Sequence, residues 1–330
     1  MKLAAVSVTR QGDNIAKKLK ETLDLEIYSS YNNKEFKLKT ISEKLMDTVD
    51  GIIFISSTGI AVRGIAPFLK GKDKDPAVVV VDCESKFVIS LAGGHLGGAN
   101  ELALKVAKIL SATPVITTAT DSMGIDAPDM IAKDNNLIID DMKIAKDVAA
   151  KLVDEAKVAF LDEDNKIKMP RGYVVPSEDI KGIVTVSNKI EAENIPHVQG
   201  LSHLRLIRKN IILGMGCRKD VDNTKVKNFV VDTLKKYNLD LRAVKAISTV
   251  ELKRDEKALI ALSEFFNCPM EIHSLEDIKT VEHNYKGSDF VEKSIGVRAV
   301  CEPCVELSGG TLLTEKISFE GITLCIGKIN

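Results

Sequence analysis

The chain has 330 residues, with 46 basic against 47 acidic side chains and a formal net charge of −1. Apolar residues make up 45% and charged residues 28%, which supplies buried cores and excludes wholesale disorder. The charge balance, 5% aromatics and the lack of Trp leave neither a basic face nor a stacking platform, so nucleic acid is not an expected partner.

The longest apolar runs, such as Gly51–Ile55 and Ala77–Val81, fall far short of the roughly 20 residues of a membrane span. No signal-peptide pattern follows Met1. The six cysteines, 83, 217, 268, 301, 304 and 325, are therefore expected as reduced thiols in a cytoplasmic protein.

The first third alternates strand and helix patterns. Leu3–Thr9 reads as a strand, and Gly12–Leu23 as a helix with Ile15, Leu19 and Leu23 on one face. Glu26–Ser30 is a second strand, Ile41–Val49 a helix and Gly51–Ser56 a buried strand. Ile60–Leu69 follows as a short helix, with Pro67 near a kink or its end. Ala77–Asp82 and Phe87–Leu91 are strands, Ala99–Leu110 a helix and Pro114–Thr118 a strand. Such alternation predicts a mostly parallel sheet covered on both faces.

From Asp121 to about Arg208 the pattern changes. Ile144–Val153 is helical, and Val158–Leu161 and Gly182–Val186 are strands around a turn-rich stretch. A fresh α/β unit begins near Asn210, with strands at Ile211–Met215, Ala243–Ser248 and Met270–His273. Its helices are Lys225–Tyr237, Asp255–Phe266 and Leu275–Val281, then a broken one over Ile295–Leu307. Thr311–Lys316 and Ile322–Gly327 close it as strands. The expected architecture is multi-domain α/β: an N-terminal domain over 1–125, a smaller α/β middle domain over 126–208 and a C-terminal domain over 209–330. The two outer domains carry the mostly parallel sheets.

Several segments can carry chemistry. Ser57, Thr58 and Gly59 sit between a strand and a helix, where free N–H groups suit an anion and Arg63 adds a positive fork. An ordinary N-cap is the plainer alternative. Gly93, Gly94, Gly97 and Gly98 flank His95 at another strand-to-helix junction. Four glycines there imply close approach of a ligand or of another backbone, and His95 is a candidate proton-transfer group. Both loops are expected beyond the carboxyl ends of parallel strands.

Gly214-Met215-Gly216-Cys217-Arg218 resembles the start of a dinucleotide fingerprint but lacks its third glycine. It remains plausible as an anion loop, with Cys217 acidified beside Arg218 and Lys219. Cys301-Glu302-Pro303-Cys304 invites a metal or redox reading. The chain offers no second such pair, so small buried helical residues with Glu302 as the polar member are expected, and no metal.

The stretches 56–67, 75–82, 87–103 and 114–129 resemble the N-terminal part of the cobalamin-biosynthesis CbiG family. GMGCR at 214–218, Lys253 with Glu256, SDFVEKSIGVRAVCE at 288–302 and Lys316 resemble its C-terminal domain. The GGHLGGAN run is the most specific part.

The resemblance implies a cobalt-precorrin-5A hydrolase. Such an enzyme opens the δ-lactone joining the ring A acetate to C20 and releases C20 with its methyl group as acetaldehyde, giving cobalt-precorrin-5B. Cobalt arrives within the substrate, so no separate cofactor is implied, and neighbouring pathway enzymes are conceivable partners. On that reading His95 is the candidate base, with Glu101 or Glu302 able to shuttle protons, and N–H groups of the Gly93–Gly98 loop face the developing oxyanion. Ser57, Thr58, Gly59, Arg63, Arg218, Lys253 and Lys316 bind substrate carboxylates, in a cleft between domains. The alternatives are a non-catalytic tetrapyrrole carrier of the same pathway and a phosphate- or nucleotide-dependent α/β enzyme.

Overall fold

The computed structural model describes residues 1–330 except 34, 72, 73, 193, 194, 197 and 198; the side chains of 290 and 294 are also left aside. The chain divides into two compact units. The first comprises Met1–Lys133 with Leu152–Glu155 and Pro170–Gly172; the second comprises Asp134–Lys151, Ala156–Met169 and Tyr173–Asn330.

The first unit is built from β1 (Leu3–Ser7), α1 (Arg10–Lys20), β2 (Leu25–Ser29), α2 (Leu38–Thr48), β3 (Gly51–Ile55) and α3 (Thr58–Ile65). It continues through β4 (Ala77–Val81), β5 (Phe87–Ala92), α4 (Ala99–Leu110), β6 (Thr113–Val115), α5 (Ala119–Ser122) and α6 (Pro128–Asp134). Its sheet runs β2-β1-β3-β4-β5-β6.

β1, β3 and β4 are buried along their whole length, because their alternate residues serve two separate cores. On one face Ala5, Ile53, Ile55, Val79 and Val81 pack on Ile15, Leu19, Leu102 and Val106 of α1 and α4. On the other, Ala4, Val6, Ile52, Phe54, Val78 and Val80 pack on Leu45, Met46, Ala61 and Ile65 of α2 and α3. α1 begins where the Thr9 hydroxyl accepts the Gly12 N–H at 3.0 Å, and it ends in Lys17, Lys18 and Lys20, which suit the helix dipole.

One strand departs from expectation. β5 runs antiparallel to β4, pairing Val81 with Val88 and Val78 with Ala92, whereas β6 is parallel to β5. The link over 82–86 is too short for a parallel crossover, which needs about a dozen residues or more. The helix expected over 60–69 stops at Ile65, and Ala66–Phe68 with Pro67 forms a 3-10 turn.

The second unit holds β7 (Leu137–Ile139), α7 (Met142–Val153), β8 (Val158–Asp162), β9 (Gly182–Ser187) and β10 (Ser202–Arg208). Next come β11 (Ile211–Cys217), α8 (Asn223–Lys236), β12 (Val244–Val250), α9 (Lys257–Phe266), β13 (Met270–His273), α10 (Leu275–Val281) and α11 (Asp289–Ile295). It closes with α12 (Cys301–Leu307), β14 (Gly310–Leu312), β15 (Ile317–Phe319) and β16 (Ile322–Ile329).

One sheet has the order β7-β10-β9-β8; the other has β13-β12-β11-β16-β14 with β15 on β16. β11, β12 and β13 are parallel, and β16 is antiparallel to β11. Charged side chains tie the two sheets together: Arg208 of β10 reaches Asp162 at 2.9 Å and Asp164 at 2.7 Å, and Lys328 of β16 also meets Asp164. The fold class is multi-domain α/β, and β7, β10 and β15 are the strands that periodicity misses. They are short or of mixed polarity. Among the described residues no helix is long and apolar enough to cross a membrane.

Candidate active site

His95 is the centre of a polar cluster in the first unit. Its loop leaves the carboxyl end of β5, and the Thr118–Asp121 segment leaves the same end of the parallel neighbour β6. His95 Nε2 lies 2.8 Å from Asp121 Oδ2 and 3.3 Å from the Thr120 hydroxyl. Its Nδ1 lies 3.4 Å from Asp129 Oδ2.

A second layer fixes Asp121. Asn100 Nδ2 donates to Asp121 Oδ2 at 2.9 Å and to the Thr118 hydroxyl at 3.0 Å, and Thr118 donates to the same carboxylate oxygen at 2.5 Å. Ser90 donates to Asn100 Oδ1 at 2.6 Å, which fixes the amide's orientation. The described hydrogen bonds of Asp121 all fall on Oδ2, so Oδ1 keeps its acceptor capacity.

The His95 side chain is 18% exposed, against 43% for Asp121. The hydrogen bond that His95 donates to Asp129 raises the His95 pKa above the ordinary histidine value; burial opposes it, and Asp121 adds to the rise. For Asp129, burial is the largest single influence and pushes its pKa up. The His95 interactions and local backbone N–H groups together outweigh it, and the net shift is downward. The trio thus favours an imidazolium held between two carboxylates. A base needs a free ring nitrogen, and His95 has both engaged, so the role of free base expected from the sequence does not match this geometry.

The glycines serve the loop's own packing. A Cβ on Gly93, where φ is +69°, would sit 2.5 Å from the Pro76 carbonyl oxygen; one on Gly97 would sit 2.7 Å from the Gly93 oxygen and 2.9 Å from the Asp75 oxygen. Of the two close approaches expected, the one seen is to another backbone. Gly94 lies against the Asn100 amide, and Gly98 starts α4 with φ +84°. The N–H groups of Gly98, Ala99 and Asn100 are used within the loop, on the carbonyls of His95, Gly93 and Gly94. Those of Gly94, His95, Leu96 and Gly97 take no acceptor among the described residues, so the loop that carries His95 keeps four consecutive backbone donors. Glu101 points away: its side chain is 64% exposed and lies 3.5 Å from Lys133.

The turn of Ser57, Thr58 and Gly59 is not part of this cluster. It follows β3, and because β5 runs against β4, the His95 loop lies at the opposite end of the sheet, roughly 17 Å away for a five-residue strand. The expectation that both loops share the carboxyl edge of parallel strands is therefore corrected. Ser57, Thr58, Gly59 and Arg63 are exposed, and the Ser57 side chain makes no capping bond, so this helix start keeps free N–H groups.

The remaining candidates belong to the second unit. Gly214 and Gly216 lie inside β11, and a Cβ on Gly214 would meet the Cys301 carbonyl oxygen at 2.1 Å. Gly214 packs beneath α12, and a Cβ on Gly216 would sit 2.6 Å from the Thr323 hydroxyl of β16, so both are packing glycines within a strand and not a phosphate loop. Arg218 follows, its N–H bonded to the Gly321 carbonyl at 2.9 Å. Lys253 meets Glu256 at 3.5 Å, and Glu256 accepts the Asp220 N–H at 3.2 Å, so the ends of β11 and β12 form one charged rim. Burial, with Glu256 adding and Lys253 opposing, raises the Cys217 pKa to about 11, which corrects the expected acidification. Glu302 is buried on α12 beside Cys301 and Cys325, and Lys316 is exposed but close enough for its charge to act on Cys325.

Models of three family regions cover most of the chain. Cobalamin synthesis G N-terminal matches residues 40–121, the cobalamin biosynthesis central region matches 127–201 and cobalamin synthesis G C-terminus matches 211–327. A Salmonella typhimurium protein named cobalt-precorrin-5A hydrolase is 34% identical over 345 residues, covering 98% of this chain and 97% of the relative. The chain belongs to the CbiG family.

A Priestia megaterium CbiG relative carrying the same name is 29% identical, covering 99% of this chain and 94% of its own. A solved cobalamin biosynthesis protein G homolog from Sulfolobus solfataricus is 21% identical, covers 100% of this chain and 97% of its own, and superposes with a TM-score of 0.42. In this CbiG chain the sequence reading misses Asn100, Thr118, Asp121 and Asp129. The signal available was the run of aspartates 121, 126 and 129 that follows the threonine cluster 117–120 after a strand.

Proposed function

We propose that the chain is a cobalt-precorrin-5A hydrolase of cobalamin biosynthesis, opening the substrate's δ-lactone with water and releasing acetaldehyde. The observation that carries this reading is the match to the Salmonella hydrolase at 34% identity across 97% of that protein. The His95 cluster supplies chemistry of the required kind. Asp121, the more exposed carboxylate, takes a proton from the attacking water through its free Oδ1. The N–H groups of Gly94–Gly97 stabilise the oxyanion as the carbonyl becomes tetrahedral. His95 gives its Nε2 proton to the departing ring oxygen, and Asp129 holds the imidazole in place.

Cobalt enters as part of the substrate, and no step is routed through a cofactor. The enzyme works in the cytoplasm.

The test is incubation with cobalt-precorrin-5A, following acetaldehyde by coupled reduction. The expected result is one acetaldehyde per substrate, with His95→Ala slowing kcat by about 10²–10⁴-fold. No acetaldehyde from the unaltered protein refutes the function. An unchanged kcat in the variant removes His95 from the chemistry.

A further inference from the structure

The second unit carries a donor cluster that the lactone chemistry does not use. Cys301, Glu302 and Cys325 place one sulfur, one carboxylate oxygen and one sulfur within 4.8 Å of one another, all three residues buried. The sequence explains the meeting. Cys325 on β16 pairs across the sheet with Gly214, and the absent side chain at Gly214 lets the first turn of α12 lie directly on that strand pair. Cys301 is thereby brought to Cys325, while Cys304, the second cysteine of the local CxxC, turns into a different apolar cluster with Val250, Ile278 and Val297.

An apolar-core role accounts for the two thiols, which sit with Ile212, Ala246 and Val305. It does not account for Glu302. This carboxylate is only 6% exposed, and its described side-chain hydrogen bond comes from the Cys301 thiol at 3.2 Å, a weak donor. Burying a carboxylate costs several kcal/mol unless a cation or strong donors compensate. Its place in the first turn of α12 offsets part of that cost. A cation bound between the three groups offsets the rest.

We propose that Cys301, Glu302 and Cys325 form a binding site for a thiophilic divalent cation of the zinc type, separate from the cobalt of the substrate. Two thiolates and a carboxylate carry three negative charges. A divalent ion leaves one, which the neighbouring Lys316 ammonium balances. Sulfur donors select zinc-like ions over magnesium or calcium, and three protein ligands leave a fourth coordination position open.

The test uses Co²⁺ as a spectroscopic probe on the full-length, thiol-reduced protein without oxygen, followed by displacement with Zn²⁺. Expected are one equivalent of Co²⁺ with intense near-ultraviolet thiolate-to-metal absorption, its loss on adding Zn²⁺, and its absence in Cys301→Ala and Cys325→Ala. Cys304→Ala retains it. X-ray absorption of the zinc-loaded unaltered protein, which needs no variant, is expected to show two sulfur ligands at about 2.3 Å. Absence of thiolate absorption in folded, reduced protein overturns the proposal. So does binding that survives in the Cys301→Ala/Cys325→Ala double variant, or a zinc shell without sulfur.

Discussion

Replacing Asp129 with Asn tests the heart of the site, because it removes one of the two charges that hold His95 protonated. The pair is 3.4 Å apart, with side chains 18% and 22% exposed. At an effective dielectric near 20 the gross Coulomb attraction at that separation is about 5 kcal/mol. Desolvation cancels much of it, and a charge-assisted hydrogen bond nets about 1.5–3 kcal/mol. The length puts this pair at the lower end, so Asp129→Asn is expected to destabilise the first unit by about 1.5 kcal/mol near pH 6.

The sign follows from the shifts. His95 is raised in the folded state, so its contribution is fully present below the unfolded histidine value and fades as pH rises through the folded one. Asp129 is lowered, so its contribution is present above the unfolded aspartate value and is lost as pH falls through the folded one. The difference between the two proteins is therefore greatest in mildly acidic solution and shrinks toward alkaline pH.

The assay is denaturant unfolding across pH, with proton NMR titration of the histidines. The chain has five, and His95 is assigned by its loss in His95→Gln. The His95 midpoint is expected to move down in Asp129→Asn. Equal midpoints in both proteins, or a pH-independent stability difference, would refute the imidazolium sandwich.

Two further substitutions probe the scaffold. Gly97→Ala forces a Cβ to within 2.7 Å of the Gly93 oxygen and is expected to cost about 1–3 kcal/mol by overpacking, with loss of turnover as the loop shifts. Gly59→Ala meets only the Arg63 guanidinium at 3.5 Å within a helix and is expected to stabilise by about 0.4–1 kcal/mol; thermal midpoints moving the same way would show that the glycine packing is misjudged. In the second unit, Arg208→Gln leaves Asp162, whose side chain is 2% exposed, without its cation and Asp164 with Lys328 alone, and is expected to cost about 3 kcal/mol. A change below measurement error in its unfolding midpoint would mean that solvent already screens the cluster.

The amino-acid sequence by itself determined the elements whose signals are local. Fully apolar β3 and β4, the apolar faces of helices such as α1 and α4, and the glycine run around His95 all read directly, because hydrophobic period and local composition depend on near neighbours. Only the tertiary structure decided strand direction and long-range company. A strand's alternation is the same in either direction, so it cannot show that β5 runs backwards and parts the Ser57 turn from His95; the short 82–86 link was the one local clue. His95 finds Asp121 26 residues away. Cys301 finds Cys325 and not Cys304, because Gly214 admits α12 against β16. Residues remote in sequence meet only when sheet order and helix docking bring them together.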